Sequence, residues 1–233
     1  MNILGLICAR GGSKGLKNKN IKLFNKKPLI YWSIIKLKNL KQINKSIISS
    51  DDKKIHDIAK LNSIDIIFTR PKNLSNSTAS KIDVWKHAYK KACNHYNCEF
   101  DALVDIDCSN PLQKLSSIKK LINWSINNYK KNIDFDLSLF VTESRKNPYF
   151  NMFEKKNRYY KISKKLENIH SRQKAPKVFD HVAGTYFILK KFLKSDKYLS
   201  SAKIIGYKIS RKESFDIDDK IDFDICEKLS NNN

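Results

Sequence analysis

Between Asn2 and Glu143 the chain alternates short apolar runs with stretches of helical periodicity, and this alternation restricts the fold more than any other feature. NILGLICA (2–9) is a continuous apolar run, the pattern of a strand buried on both faces. PLIYWSIIKLKNL (28–40) has helical spacing, with Pro28 suited to a first turn. KSIISSDD (45–52), IDIIFTR (64–70), FDALVDID (100–107) and FDLSLFVTE (135–143) read as further strands. KKIHDIAKLN (53–62), TASKIDVWKHAYKKACNHY (78–96) and SSIKKLINWSINNY (116–129) read as the helices between them. The pattern predicts a three-layer α/β/α domain around a doubly wound, mostly parallel, Rossmann-like sheet. At 233 residues we expect a single domain over 1–233. Ligands in such sheets bind beyond the carboxyl ends of the strands, which points to loops starting near Arg10, Ser49, Arg70 and Asp107.

The alternation stops at residue 144. Residues 144–180 are rich in aromatics and cations and weak in helical pattern, as expected of an arm inserted into the domain that packs on a second subunit. HVAGTYFILK (181–190) and AKIIGYKIS (202–210) return as strands, and residues 220–230 close with a helix.

A formal charge of +23 raises nucleic acid as a partner. The distribution argues against it. Only six of the 46 cations are Arg, and the Lys residues run from Lys14 to Lys228 without gathering on one element. We expect no nucleic-acid partner; the same field favours a small anionic substrate. The cysteines at 8, 93, 98, 108 and 226 form no CxxC pair, and with His87 and His95 they match no common zinc spacing. No segment has the length of a membrane span and no charged leader precedes the first apolar run, so a cytoplasmic protein without a membrane partner is expected.

The most informative loop is ICARGGSKGLKNKN (7–20). It is neither a GxxxxGK[ST] P-loop nor a GxGxxG dinucleotide turn. Its ingredients are those of a polyphosphate cradle all the same: Gly11, Gly12 and Gly15 for positive φ and close backbone approach, amides for an anion nest, and Arg10 and Lys14 for fixed charge. Near the other end, FDIDDKIDFDIC (215–226) gathers five Asp in a basic chain. In an extended segment Asp216 and Asp218 point to one side, a pair suited to Mg²⁺ beside a triphosphate. Asp219 and Asp222 suit the start of the following helix.

ICARGGSKGLKNKNI (7–21) resembles the signature of the CMP-sialic acid synthetases, or acylneuraminate cytidylyltransferases. The resemblance implies a nucleotidyltransferase fold with a dimerisation arm at 144–180, a homodimer, CTP and a nonulosonic acid as substrates, and Mg²⁺ as cofactor. In that loop it implies nucleotide contacts from Ala9, Arg10, Gly11, Gly12, Ser13, Lys14 and Asn20. TRPKNLSNSTAS (69–80) is similar to the family's RPxxLAxDxxS segment, which implies Arg70 and Ser80 near the cytosine and ribose. Ser77 stands where Asp is frequent, and Lys81 where a second Ser is common. LVDIDCSNPLQ (103–113) resembles LLQPTSPLR, with Asp107 in place of the Gln that faces the acceptor sugar and Gln113 in place of the Arg. A carboxylate there is closer to the branch acting on legionaminate or related bacterial nonulosonates. ESRKNPYFNM (143–152) and RQKAPKVFDHVAGTYFI (172–188) resemble the acceptor-binding and dimerisation segments, which implies sugar contacts from Lys146, Arg172 and Gln173. The family's metal-binding pair matches Asp216 and Asp218. Arg10, Lys14, Asp216 and Asp218 are thus the expected catalytic set. Two choices stay open at this level. The base is Asp107 or a metal-bound water, with His170 and His181 nearby, and the acceptor is a nonulosonic acid, Kdo or a sugar 1-phosphate.

Overall fold

The computed structural model describes residues 1–13, 15–166 and 171–231. In chain order the elements are β1 (Ile3–Cys8), β2 (Leu23–Phe24), β3 (Lys27–Pro28), α1 (Leu29–Lys38), β4 (Lys45–Ser49), α2 (Lys53–Leu61), α3 (Lys81–Tyr96), β5 (Ala102–Ile106), α4 (Leu115–Lys130), β6 (Leu137–Glu143), β7 (Phe153–Lys156), β8 (Tyr159–Ile162), β9 (Phe179–Leu189), α5 (Lys190–Leu193), β10 (Ile204–Lys208) and α6 (Lys220–Asn231). Six strands form one sheet in the order β10-β6-β9-β5-β1-β4. β1 runs parallel to both β4 and β5, and β10 parallel to β6. β9 enters antiparallel between β5 and β6.

The period of two along β1 explains the layers. Ile3 and Ile7 face a core shared with α1, α2 and α4 (Ile30, Ile34, Ile55, Ile118, Leu121). Leu4 and Leu6 face the opposite core, built from α3 and α5 (Trp85, Ala88, Tyr89, Phe192). A smaller cluster seats α6 on the β2–β3 hairpin through Phe223, Phe24 and Leu29. Local signals start two of the helices. The Asp52 side chain accepts from the Lys54 amide at 2.7 Å to cap α2, and Ser80 accepts from the Ile82 amide to cap α3. The chain has only six Gly, and Asn takes most left-handed turns instead: Asn18, Asn25, Asn97, Asn132 and Asn157 all have positive φ.

Two local expectations change. Residues 64–70 are not a strand; they keep one parallel bridge, Ile47 with Asp65, on the outer side of β4. Only Ile64 is buried in the first half of that stretch, and Ile66 is exposed, so the edge has little apolar area to hold it. β9 is also longer than the expected strand and carries an irregularity. Leu139 pairs with Tyr186 and Phe140 with Val182, so residues 183–185 bulge away from β6. The bulge stays bonded to the end of β5: Thr185 pairs with Ile106, and the Gly184 carbonyl accepts from the Asp107 amide at 2.8 Å.

The segment between β6 and β9 leaves the core. Its β7–β8 hairpin is exposed along its whole length and displays Phe153, Tyr159, Tyr160 and Ile162 to solvent.

Because β9 joins the two halves of the sheet, truncating its buried Phe187 tests the architecture. Phe187→Ala should cost about 3–5 kcal/mol in urea unfolding, the range for emptying a buried Phe site. A loss below about 1 kcal/mol would mean that this strand is not part of the cooperative core.

Candidate active site

β4, β1 and β5 are neighbours that run the same way, so their carboxyl ends share one edge. A cleft of about 240 Å³ opens there, lined by Arg10, Ser13, Lys19, Asn20, Arg70, Asn76, Lys81 and Asp107, among others. A larger hollow of about 450 Å³ lies at the amino edge of the sheet, around Tyr129–Asp134 and Leu189–Lys191. Its Asp134 is already paired with Lys191 at 2.6 Å, and none of the glycine-rich or acidic loops reaches it.

The loop after β1 is fixed from several sides. The Ala9 amide continues the β4 ladder by donating to the Ser49 carbonyl at 3.0 Å. Arg10 Nη1 donates to the Asn76 carbonyl at 2.7 Å, and Asn20 Nδ2 donates to the Arg10 carbonyl at 3.0 Å. The glycines depart from expectation in their backbone angles. None of the described glycines has positive φ; Asn18 makes the left-handed turn. What glycine supplies is proximity. A Cβ on Gly11 would lie 2.6 Å from Asp52 Oδ2, and one on Gly15 would lie 2.3 Å from the Asp218 carbonyl oxygen. A Cβ on Gly12 would meet nothing within 4 Å. The Gly11 amide donates to Asp51 Oδ1 at 3.0 Å, so in this state a carboxylate of the chain occupies it. Lys14 lies outside the described residues.

Lys19, which the sequence reading passed over, links the two ends of the chain. Its Nζ bonds the Ile217 carbonyl and lies 3.8 Å from Asp218 Oδ1. Its place inside the repeat KNKN is the only signal that marks it in the sequence.

Arg70 is buried. Its guanidinium is spent largely on β4: Nε donates to Ser49 Oγ at 2.9 Å, and Nη2 to the Ser49 carbonyl. The Ser80 hydroxyl is engaged as the α3 cap, and Ser77 and Ala79 line the cleft from this segment. Lys81 follows the cap and pairs with Asp105 Oδ2 at 3.0 Å and with Asp107 Oδ2. Asp105 is fully buried and also accepts from Trp85 Nε1 at 2.9 Å. Positions 81 and 107, both departures from the family pattern, are therefore joined by an ion pair.

The electrostatics follow from this cluster. Burial raises the Asp105 carboxyl above its ordinary range, although Lys81 opposes it. Burial would also raise Asp107, but Lys81 and Ser109 outweigh it and hold that carboxyl low. Lys81 itself is held well above the usual lysine range, because Asp105 and Asp107 overcome its burial.

The loop after β5 is clamped by α1: Ser33 Oγ donates to the Asp107 carbonyl at 2.9 Å, and Lys36 Nζ to the Pro111 carbonyl at 2.8 Å. Burial pushes the Lys36 ammonium down to about 7. Ser109 in that loop reaches the C-terminal acids. Its carbonyl accepts from the Ile217 amide, next to Asp216, at 2.8 Å. Burial, with Asp107 and Asp218 nearby, pushes Asp216 up to about 6, and its Oδ1 is buried with no protein partner. Asp218 is 82% exposed in its side chain. Asp219 and Asp222 exchange backbone contacts at the start of α6, as expected of capping residues.

The sugar-contact residues expected on the inserted arm are only partly assembled. Gln173 lines a hollow with Ser144 and Asn147, beyond the Glu143–Phe179 pair where β6 and β9 outrun β5. Lys146 is exposed beside it. The side chain of Arg172 and all of His170 lie outside the described residues. His181 sits edge-on to Tyr186, 5.5 Å between ring centres, and burial and Lys81 lower its basicity.

A family model described as Cytidylyltransferase matches residues 4–233. The chain is 35% identical over 228 residues to the CMP-N,N'-diacetyllegionaminic acid synthase of Campylobacter jejuni, covering 97% of this chain and 94% of that protein. It is 34% identical over 227 residues to the post-translational flagellin modification protein B of Campylobacter coli, with coverage of 97% and 94%. Its fold matches a solved CMP:2-keto-3-deoxy-manno-octonic acid synthetase in complex with CTP, with a TM-score of 0.73 over 100% of this chain and 99% of that one. At 13% identity that match speaks for the fold alone.

The two glycine environments separate structure from ligand binding. Gly15→Ala should lower the thermal midpoint, because backbone at 218 must move, whereas Gly12→Ala should leave it unchanged. Equal midpoints for the two variants in differential scanning fluorimetry would refute the close packing of residue 15 on residue 218.

Proposed function

We propose, from the premise that this chain belongs to the cytidylyltransferase family, that it activates a nonulosonic (sialic-type) acid with CTP to give the CMP-sugar and pyrophosphate. The observation that carries the reading is one cleft lined by both signs of charge, with Arg10 and Lys19 as cations and Asp107 as a carboxylate. Lys19 also bonds the Ile217 carbonyl, which brings the flanking Asp216 and Asp218 to the same place. The chain's 35% identity to the CMP-N,N'-diacetyllegionaminic acid synthase of Campylobacter jejuni supports a legionaminate-type acceptor.

In the reaction the anomeric hydroxyl of the sugar acid attacks the α-phosphorus of CTP. The new O–P bond forms as the bond to the β-phosphate oxygen breaks, the hydroxyl proton passes to Asp107 or to water, and pyrophosphate departs. Such a transfer needs alignment and charge neutralisation more than covalent help. Arg10, Lys14 and Lys19 hold the phosphates and take up charge on the leaving pyrophosphate. Asp107 faces the sugar, and Arg172, Lys146 and Gln173 receive its far side and carboxylate. Ala9, Gly11, Gly12, Ser13 and Asn20 shape the nucleotide loop, with Arg70 and Ser80 at its base and ribose side.

Mg²⁺ fits the carboxylates present. Asp216 offers a buried oxygen with no protein partner, and Asp218 an exposed carboxylate two residues on. Among the described residues no group of three or more His, Cys, Asp or Glu forms a closed metal cage. That suits an ion that completes its shell with phosphate oxygens and water. Asp216 and Asp218 would hold it, and when bound it would neutralise phosphate charge.

The arm between β6 and β9, with Phe153, Tyr159 and Tyr160 exposed, serves as the homodimer contact in this reading. Among the described residues no helix is long and apolar enough to cross a membrane, and we place the enzyme in the cytoplasm, where CTP is available.

The deciding assay is pyrophosphate release from CTP with a panel of nonulosonic acids, Kdo and sugar 1-phosphates, with and without Mg²⁺. Turnover should require Mg²⁺ and a nonulosonic acid. Arg10→Ala should lower kcat about a hundredfold or more. Asp218→Asn should raise the Mg²⁺ concentration needed for half-maximal rate. A faster reaction with a sugar 1-phosphate, or none with any sugar acid, would overturn the proposal.

A further inference from the structure

The cleft contains a charged cluster that the phosphate and metal assignments leave unused. Lys81 occupies the first turn of α3, where the helix dipole disfavours a cation. Two carboxylates offset that cost, Asp105 at 3.0 Å and Asp107, and the Tyr186 and Trp85 rings flank the ammonium at 4.6 and 5.7 Å. Two anions claim one ammonium, so Lys81 has no charge to spare for a triphosphate.

The groups bonded to the Asp107 carboxylate are all donors. Lys81 is on Oδ2, and the Ser109 amide and hydroxyl are on Oδ1 at 3.1 Å each. The side chain is nevertheless 23% exposed and lines the cleft, so lone pairs remain for a ligand. A carboxylate without a proton can only accept. If Lys81 were neutral, Asp105 and Asp107 would be two acids on the same face of one strand, and like charges so placed share a proton. Asp107 would then both accept and donate.

We propose that Lys81 is a specificity-determining positioning residue that holds Asp107 as a pure hydrogen-bond acceptor. The cleft thereby selects sugar acids presenting an amide N–H or a hydroxyl at this point over those presenting only ether, ester or carbonyl oxygen. This rests on the reading of Asp107 as an acceptor-side group. Arg10 and Lys19 serve the nucleotide; Lys81 serves the sugar through Asp107.

The test compares matched acceptors on the full chain: acetamido against acetoxy, and hydroxyl against methoxy, at each substituted carbon in turn. The wild-type chain should prefer the donor-bearing member of at least one pair by about tenfold or more in kcat/KM, the scale of one hydrogen bond to a charged group. Lys81→Met and Asp107→Asn should erase that preference while leaving the KM for CTP unchanged, and Lys81→Arg should keep it. Asp107→Asn retains the Lys81–Asp105 pair and so covers the case in which Lys81→Met does not fold. A wild-type chain that turns over both members of every pair equally overturns the inference. So does a Lys81→Met chain that keeps the preference, or variants whose change falls on the KM for CTP. Failure of the wild-type chain with every sugar acid instead sinks the function on which the inference rests. The ¹³C carboxyl resonance of Asp107 then decides the role of Lys81: it should be that of a carboxylate at neutral pH in the wild-type chain and shift toward a shared proton in Lys81→Met. An unshifted resonance overturns the inference.

Discussion

A carboxylate buried in the middle of a sheet is costly, and Asp105 is one. Removing such a group from water costs several kcal/mol before any partner is counted. Trp85 and Lys81 supply the partners, and both come from α3. That choice ties the helix on one face of the sheet to the strand at its centre by something more specific than apolar contact. It also fixes the rotation of α3, because Trp85, one turn after Lys81, must present its indole N–H to the same oxygen. The cleft is set between this helix start, the end of β1 and the loop after β5, so its shape depends on the charge buried beneath it.

The antiparallel entry of β9 matters nearly as much. By joining β5 to β6 it brings β6, β10 and the inserted arm alongside the half built from β4, β1 and β5. The bulge at 183–185 lets one strand serve two neighbours of different length. Below it β9 pairs with both; above it β9 follows β6 alone toward the arm. Gly184 lies in this bulge with its Cα against the Gln113 side chain, and a Cβ there would come within 1.9 Å of that amide. Backbone, glutamine and the Asp107 amide thus meet at one point, where the two halves of the sheet join.

Much of this was legible in the sequence. The apolar run of β1, the periodicity of α1, α3 and α4, and the polar loops at Arg10, Ser49, Arg70 and Asp107 follow from local spacing, and local spacing sets which face is buried. The arm was legible as a break in that spacing. What was not legible depends on pairings distant in the chain. Residues 64–70 have strand composition, but whether an edge retains them depends on what covers it. Lys19 and Asp218 are almost the length of the chain apart, and nothing in KNKN announces a partner among the C-terminal acids. Lys81 was noticed only as a departure from a pattern; its meaning came from Asp105, which in VDID looks like an ordinary strand-end acid. For the first-loop glycines, RGGSKG suggests close approach but not its partners, since crowding of Gly11 by Asp52 and of Gly15 by Asp218 depends on distant chain, and none of them takes positive φ. The net charge behaves as its dispersal implies: lysines such as Lys190, Lys191 and Lys203 pair with Glu99 and Asp134 at exposed sites worth little to stability. The surplus forms a field suited to anionic ligands.

The late position of β9 in the chain has a consequence for synthesis. β5 and β6 are both made well before it, and until residues 179–189 leave the ribosome each has an apolar edge with no neighbour. One strand closes both edges at once. A nascent chain paused or cut before that point therefore has an open edge on β5 and a β6 without either neighbour, because β10 is made later still, and it is prone to pair with another like itself. The arm, translated in the interval, delays the closing strand further and so lengthens the time in which two unfinished chains can stick.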